Sequence, residues 1–168
     1  MALLVLSVAG SDRPGLTKAL AAAVLSAGGN WLESHLSRLG GLYVGSVLVE
    51  LAEGKVEALR AAVAAVDAAG LEVRIAPAGE VVVAGETLEF SLVGQDRPGI
   101  VNQVTAAVSS LGANIETFET WLSAEAHAGG QLFHMAAHLR LPEGLKASAV
   151  QDALEAISGE IMVDVAVG

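Results

Sequence analysis

Two copies of one short segment hold the residues best suited to chemistry: Gly10-Ser11-Asp12-Arg13-Pro14-Gly15 and Gly94-Gln95-Asp96-Arg97-Pro98-Gly99. Each sets a carboxylate beside a guanidinium inside a turn bounded by glycine. That pairing suits a small zwitterion. An arginine and the exposed N–H groups of a helix start can hold a carboxylate, while the aspartate faces an ammonium group. Asn30 and Asn114 lie at the same distance beyond the two turns and would each add a donor and an acceptor nearby. The candidate ligand-binding residues are therefore Gly10, Asp12, Arg13, Pro14, Gly15 and Asn30, with Gly94, Asp96, Arg97, Pro98, Gly99 and Asn114.

Every one of them also has a purely structural reading. Gly10 and Gly94 permit tight turns or close backbone approach. Asp12 and Asp96 can cap a helix, and Pro14 and Pro98 suit a helix's first turn. Gly15 and Gly99 keep the helix start free of bulk. Arg13 and Arg97 can simply be solvated, and asparagine tolerates left-handed turns. Other constellations are poorer. His134 and His138 share a strand face by their spacing, but copy one has no matching histidines, so no metal site is expected. His35 and His127 are isolated surface groups. Trp31 and Trp121 read as packing or subunit-contact residues. No Ser-His-Asp or Cys-His arrangement and no Gly-x-x-x-x-Gly-Lys loop is present, so catalysis and a cofactor are not expected.

The elements that position these turns emerge from the repeat itself. An offset of 84 residues lays Leu4–Asn30 on Leu88–Asn114 with 13 of 27 positions identical. Beyond Leu39 the offset becomes 90, which aligns Tyr43 with Phe133 and Leu51 with Leu141. The six extra residues fall around Ala124–Gly129, as a longer hairpin tip. Within each copy, Leu3–Ala9 reads as a buried strand and Gly15–Ala27 as a helix with Leu16, Leu20, Ala23, Val24 and Ala27 on one face. Gly28-Gly29 and Gly112 supply helix C-termini that tolerate positive φ. Strands over Asn30–Leu39 and Leu42–Leu51, a helix over Lys55–Ala69 and a strand over Leu71–Ala76 complete the unit. Copy two repeats the last pair at Lys146–Ile157 and Ile161–Val167. The order is β-α-β-β-α-β twice: an α+β, ferredoxin-like arrangement with two helices on one face of each four-stranded antiparallel sheet. The expected domains are 1–78 and 87–168, with 79–86 as a linker in which Val81-Val82-Val83 is unusually apolar.

Composition narrows the function. The chain has 168 residues, no cysteine and a formal net charge of −10. Nine basic residues are scattered without a run, which argues against direct nucleic-acid binding. Absent thiols fit a reducing cytoplasm. The apolar opening segment lacks a basic n-region and recurs near Leu88, so it reads as a strand and not as a signal peptide. No stretch is long enough to span a membrane.

The strand–Gly-x-Asp-Arg-Pro-Gly–helix–Gly-x-Asn pattern resembles the ACT domain, a small regulatory module that often binds amino acids. Two such units and little else resemble the glycine cleavage system transcriptional repressor family. Gly-Gly-Asn-Trp-Leu-Glu-Ser from Gly28 and Leu-Phe-His-Met-Ala-Ala-His-Leu-Arg-Leu-Pro at 132–142 add to the likeness. The resemblance implies a non-catalytic regulator that senses a small amino acid such as glycine and modulates a partner protein, for instance a DNA-binding activator, without itself touching DNA. A ligand-free ACT module for protein–protein association, or a regulatory subunit of an amino-acid metabolic enzyme, are the alternatives. Open sheet edges further predict a homodimer.

Overall fold

The computed structural model describes residues 1–80, 85–124, 130–157 and 161–167. The chain divides into two compact units, Met1–Val81 and Val82–Gly168, each with its own core. Unit 1 runs β1 (Ala2–Ser11), α1 (Leu16–Ser26), β2 (Asn30–Leu39), β3 (Leu42–Leu51), a 3-10 turn at Glu53–Lys55, α2 (Val56–Ala68) and β4 (Leu71–Pro77). Unit 2 runs β5 (Glu86–Gln95), α3 (Ile100–Ser110), β6 (Asn114–Ala124), β7 (Gln131–Leu141), α4 (Ala147–Glu155) and β8 (Met162–Val167). The sheet orders are β2-β3-β1-β4 and β6-β7-β5-β8, with every pair antiparallel. Both units are therefore α+β and ferredoxin-like, as the periodicity predicts. The apolar segment 81–83, the hairpin tip and His127 lie outside the described residues.

Alternation along the strands sets the two faces. Leu4, Leu6 and Val8 of β1, with Val47, Val49 and Leu51 of β3, are buried beneath the helices. They meet Leu20 and Val24 of α1 and Leu59 and Val63 of α2. Unit 2 repeats the scheme with Leu88, Phe90 and Leu92 against Val104, Val108, Val150 and Leu154. The opposite sheet faces carry Ser7 and Ala9 in unit 1 and Glu89 and Ser91 in unit 2, all exposed. Gly28 and Gly112 end their helices at φ 75° and 72°, as a C-terminal left-handed residue should.

Two glycines of the first turn are constrained for different reasons. Gly15 sits at φ 93° with open space around the place its Cβ would occupy. Gly10 has ordinary φ, but a Cβ there would run into the carbonyl oxygen of Gly70 and approach Leu71 Cα to 2.9 Å. Gly15→Ala should therefore cost about 1–2 kcal/mol, the penalty of a left-handed L-residue. Gly10→Ala should cost more, because backbone must move. Urea titrations of both variants should rank the midpoints in that order; equal midpoints would contradict the steric assignment.

Candidate functional site

The first turn leaves β1, crosses the end of the sheet and enters α1. Its capping differs from the sequence expectation. The N-cap residues of α1 and α3 are Gly15 and Gly99, both left-handed, and no side chain caps either helix. Asp12 and Asp96 are thus not caps. The reason is geometric: the left-handed glycine turns the chain before the helix starts, which leaves each aspartate three positions ahead of its N-cap. Pro14 and Pro98 likewise precede the N-cap and sit outside the first helical turn.

Freed from capping, Asp12 faces β2, where its Oδ2 lies 3.7 Å from Arg38 Nη1. The Asp12 N–H donates to the Gly41 carbonyl at 3.5 Å, which ties the turn to the β2–β3 hairpin. Tyr43, opposite Gly10 in the β1–β3 ladder, brings its hydroxyl to Thr17 Oγ1 at 2.6 Å. The guanidinium of Arg13 lies against Gly70, in the turn that leads into β4. The turn at 10–15 therefore collects Asp12, Arg13, Thr17, Arg38 and Tyr43 around the start of α1. Asp12, Arg13 and Arg38 are exposed, and Tyr43 is half-buried.

Asn30 does not join them. It pairs with Glu50, which in turn pairs with Leu3, at the opposite end of the sheet from Gly10. Seven residues of strand separate the two ends, about 23 Å at 3.3 Å per residue. The helix that follows the turn carries the chain back along the sheet, so the head of β2 must lie far from the tail of β1. Asn114, paired with Arg140, is displaced in the same way.

The second turn keeps the backbone and loses most of the polar surroundings. Asp96 N–H donates to the Gln131 carbonyl at 3.0 Å, the counterpart of the Asp12–Gly41 bond. Gly94 is buried and pairs with Phe133. Where unit 1 has Thr17, Arg38 and Tyr43, the repeat offsets place Val101, Leu122 and Phe133. Arg97 is half-buried and Asp96 exposed. Sequence reasoning singles out the turn residues but misses Thr17, Arg38 and Tyr43, which non-local strand pairing delivers. The available signal was their departure from the repeat.

Other groupings lie elsewhere. On the open face of unit 2, Trp121 stacks on His134 with centroids 5.2 Å apart, and His134 Nε2 shares a 2.7 Å hydrogen bond with Ser123 Oγ. His138 Nε2 stands 3.6 Å from Glu89 Oε1 on that face. Shallow concavities of about 230 Å³ by Glu89, Ser91, His138 and Asp164, and about 260 Å³ by Ser7, Ala9, Glu72 and Arg74, lie on the two sheets and overlap in the repeat only at Ser7/Ser91 and Arg74/Asp164. Neither turn lines them. Among the described residues no three His, Asp or Glu side chains gather as a metal site. No described helix is long and apolar enough to cross a membrane.

Residues 2–76 match the family model of the ACT domain. Unit 1 is thus an ACT domain, and unit 2 repeats its topology, so the chain has a tandem ACT fold. A crystal structure of an unknown protein from Galdieria sulphuraria is similar at 28% identity and TM-score 0.86, over 99% of this chain and 98% of that one. A protein provisionally described as a glycine cleavage system transcriptional repressor shares the fold at 18% identity and TM-score 0.70, over 99% and 97%. No curated protein matches the sequence.

Because the Asp12–Arg38 pair is exposed, Arg38→Leu, which installs the residue of unit 2, should change stability by under about 1 kcal/mol. Thermal and urea unfolding should place the variant close to wild type. A larger loss would mean that Arg38 holds the turn together.

Proposed function

We propose that this chain is a non-catalytic regulatory protein, in which the first turn binds a small amino acid and thereby alters the chain's affinity for a partner protein. The observation that carries the reading is the polar cluster of Asp12, Arg13, Thr17, Arg38 and Tyr43 at an uncapped helix start. Arg38 and the first N–H groups of α1 receive the ligand carboxylate; Asp12 receives the ammonium group. Tyr43 and Thr17, already hydrogen-bonded to each other, stand beside that helix start. The likeness to a glycine cleavage system repressor makes glycine the first ligand to test. The turn of unit 2, with Val101, Leu122 and Phe133 in the corresponding places, contributes a weaker site or none. We assign one ligand per chain.

Regulation follows only if the ligand interacts differently with two states of the protein, since equal affinity for both shifts nothing. The family likeness supports a protein partner, such as a transcriptional activator, in the cytoplasm. The acidic balance of the chain, −10 at neutral pH, supports action through that partner and not on nucleic acid. A second reading, a ligand-free ACT module, draws support from the apolar character of the second turn.

Calorimetric titration of the full chain with each of the twenty amino acids separates the two. Glycine or another small amino acid should bind with a stoichiometry near one. Arg38→Leu combined with Tyr43→Phe should weaken it by about tenfold or more, since hydrogen bonds to charged groups contribute about 1.5–3 kcal/mol. Asp96→Asn should leave the titration unchanged. Silence across all twenty amino acids would remove the sensor reading and leave the association module.

A further inference from the structure

The two units differ in charge, and the difference reaches the sheet face that no helix covers. Unit 2 has three Lys and Arg against eleven Asp and Glu, a formal net charge of −8; unit 1 has six against eight, a net charge of −2. Strand register gathers part of that excess on the open face of unit 2. Glu119 of β6, Ala136 of β7, Ser91 of β5 and Asp164 of β8 form one row across all four strands. Three strand spacings separate the ends of the row, about 14 Å, with only Ala136 and Ser91 between the two acids. The row on one side carries His138 and Glu89, and the row on the other Trp121 and His134. The small residues leave the concavity of about 230 Å³, rimmed by Glu89, His138 and Asp164.

These acids lack cations. Among the described residues Glu119 and Asp164 have no hydrogen bond or ion pair, and Glu89 has only His138, at 3.6 Å. Arg140, at the end of the face, is committed to Glu116 through Nε and Nη2. The fold does not demand this arrangement. At the places of Glu89, Glu119 and Asp164 the repeat offsets give unit 1 Val5, His35 and Arg74, in an equivalent sheet. Apolar surface accompanies the acids: Trp121 is 49% exposed, and Met162, in the same row, 73%.

We propose that the open sheet face of unit 2 docks the partner protein, and that the partner presents a basic segment whose arginine enters the concavity between Glu89 and Asp164. The proposal names the partner's chemistry for the regulatory reading above and rests on that reading for its purpose. A guanidinium suits the place because its planar fork takes carboxylates bidentately while its stem covers apolar surface. Trp121, with one face stacked on His134, offers its remaining surface to a second cation beside Glu119. A second copy of this chain is a poorer occupant, because a twofold contact through this face sets acidic surface against acidic surface.

The test uses the full chain and no amino acid, so its outcome does not depend on the first turn. Octa-arginine is the probe, at physiological ionic strength, and Trp31→Phe leaves Trp121 as the sole tryptophan reporter. Trp121 emission should change and saturate on titration. Glu89→Gln, Glu119→Gln and Asp164→Asn together should weaken binding by about tenfold or more. Glu143→Gln, Asp152→Asn and Glu155→Gln remove the same charge from exposed sites outside this face. That set should stay within about twofold of wild type, since distant exposed charges are screened. Far-UV circular dichroism checks the fold of each variant. Should the triple face variant misfold, Asp164→Arg, the residue of unit 1, gives the same comparison. No saturable change in Trp121 emission, or equal weakening by the two sets, would overturn the proposal. So would a wild-type dimer, seen by sedimentation velocity without peptide, that Asp164→Arg dissociates, since a second copy would then occupy the face. Glycine calorimetry on the triple face variant should match wild type, so this proposal and the sensor reading can fail separately.

Discussion

The first turn exists where it does because a backbone carbonyl occupies the place a side chain would need. β1 is an inner strand, bonded to β3 on one side and β4 on the other, so the chain must leave it in a narrow gap. At Gly10 that gap is filled by the Gly70 carbonyl and Leu71, which start β4. Only a residue without Cβ lets the two backbones close. Gly70 itself sits at φ 98° with the Arg13 guanidinium against it, and Gly15 sits at φ 93° as the helix begins. Three glycine-limited points thus fix the path of six residues. Asp12, the polar side chain left between them, has no helix end to cap and turns to Arg38.

This explains what could and could not be read in the chain. The repeat, the strand limits at Asn30–Leu39 and Leu42–Leu51 and the glycine ends of the helices all follow from local signals: alternation, a 3.6-residue stripe and positive φ. The capping alternative for Asp12 fails because capping rules look only at neighbours in sequence. The rules see an aspartate before a helix; they do not see that a left-handed glycine has already displaced it. The constant spacing of Asn30 from the turn suggests a place in the site. Constant spacing in a repeat carries no information about proximity, since a helix of 11 residues intervenes and reverses the chain. Arg38, Thr17 and Tyr43 come together through the β1–β3 and β2–β3 ladders, and no local pattern encodes that meeting.

Differences between the copies proved more informative than identities. The repeated Asp-Arg-Pro-Gly string sets the turn geometry, which both units need. The positions that differ around it decide whether the turn is polar. Thr17, Arg38 and Tyr43 against Val101, Leu122 and Phe133 change two hydroxyls and a cation into three apolar groups. At position 38 and its counterpart 122 the core tolerates either residue, because neither Arg38 nor Leu122 belongs to it, whereas Phe133 is part of the core of unit 2 and Tyr43 packs against that of unit 1.

Position 38 and its counterpart 122 carry the argument furthest, because each lies on an edge strand and belongs to the surroundings of a turn. An arginine there answers Asp12 and, being charged, discourages another strand from adding to β2. A leucine there leaves Asp96 without a counterpart cation at that position and presents an apolar side chain on β6. One difference between the units therefore changes both the charge that faces the turn and the character of the sheet edge.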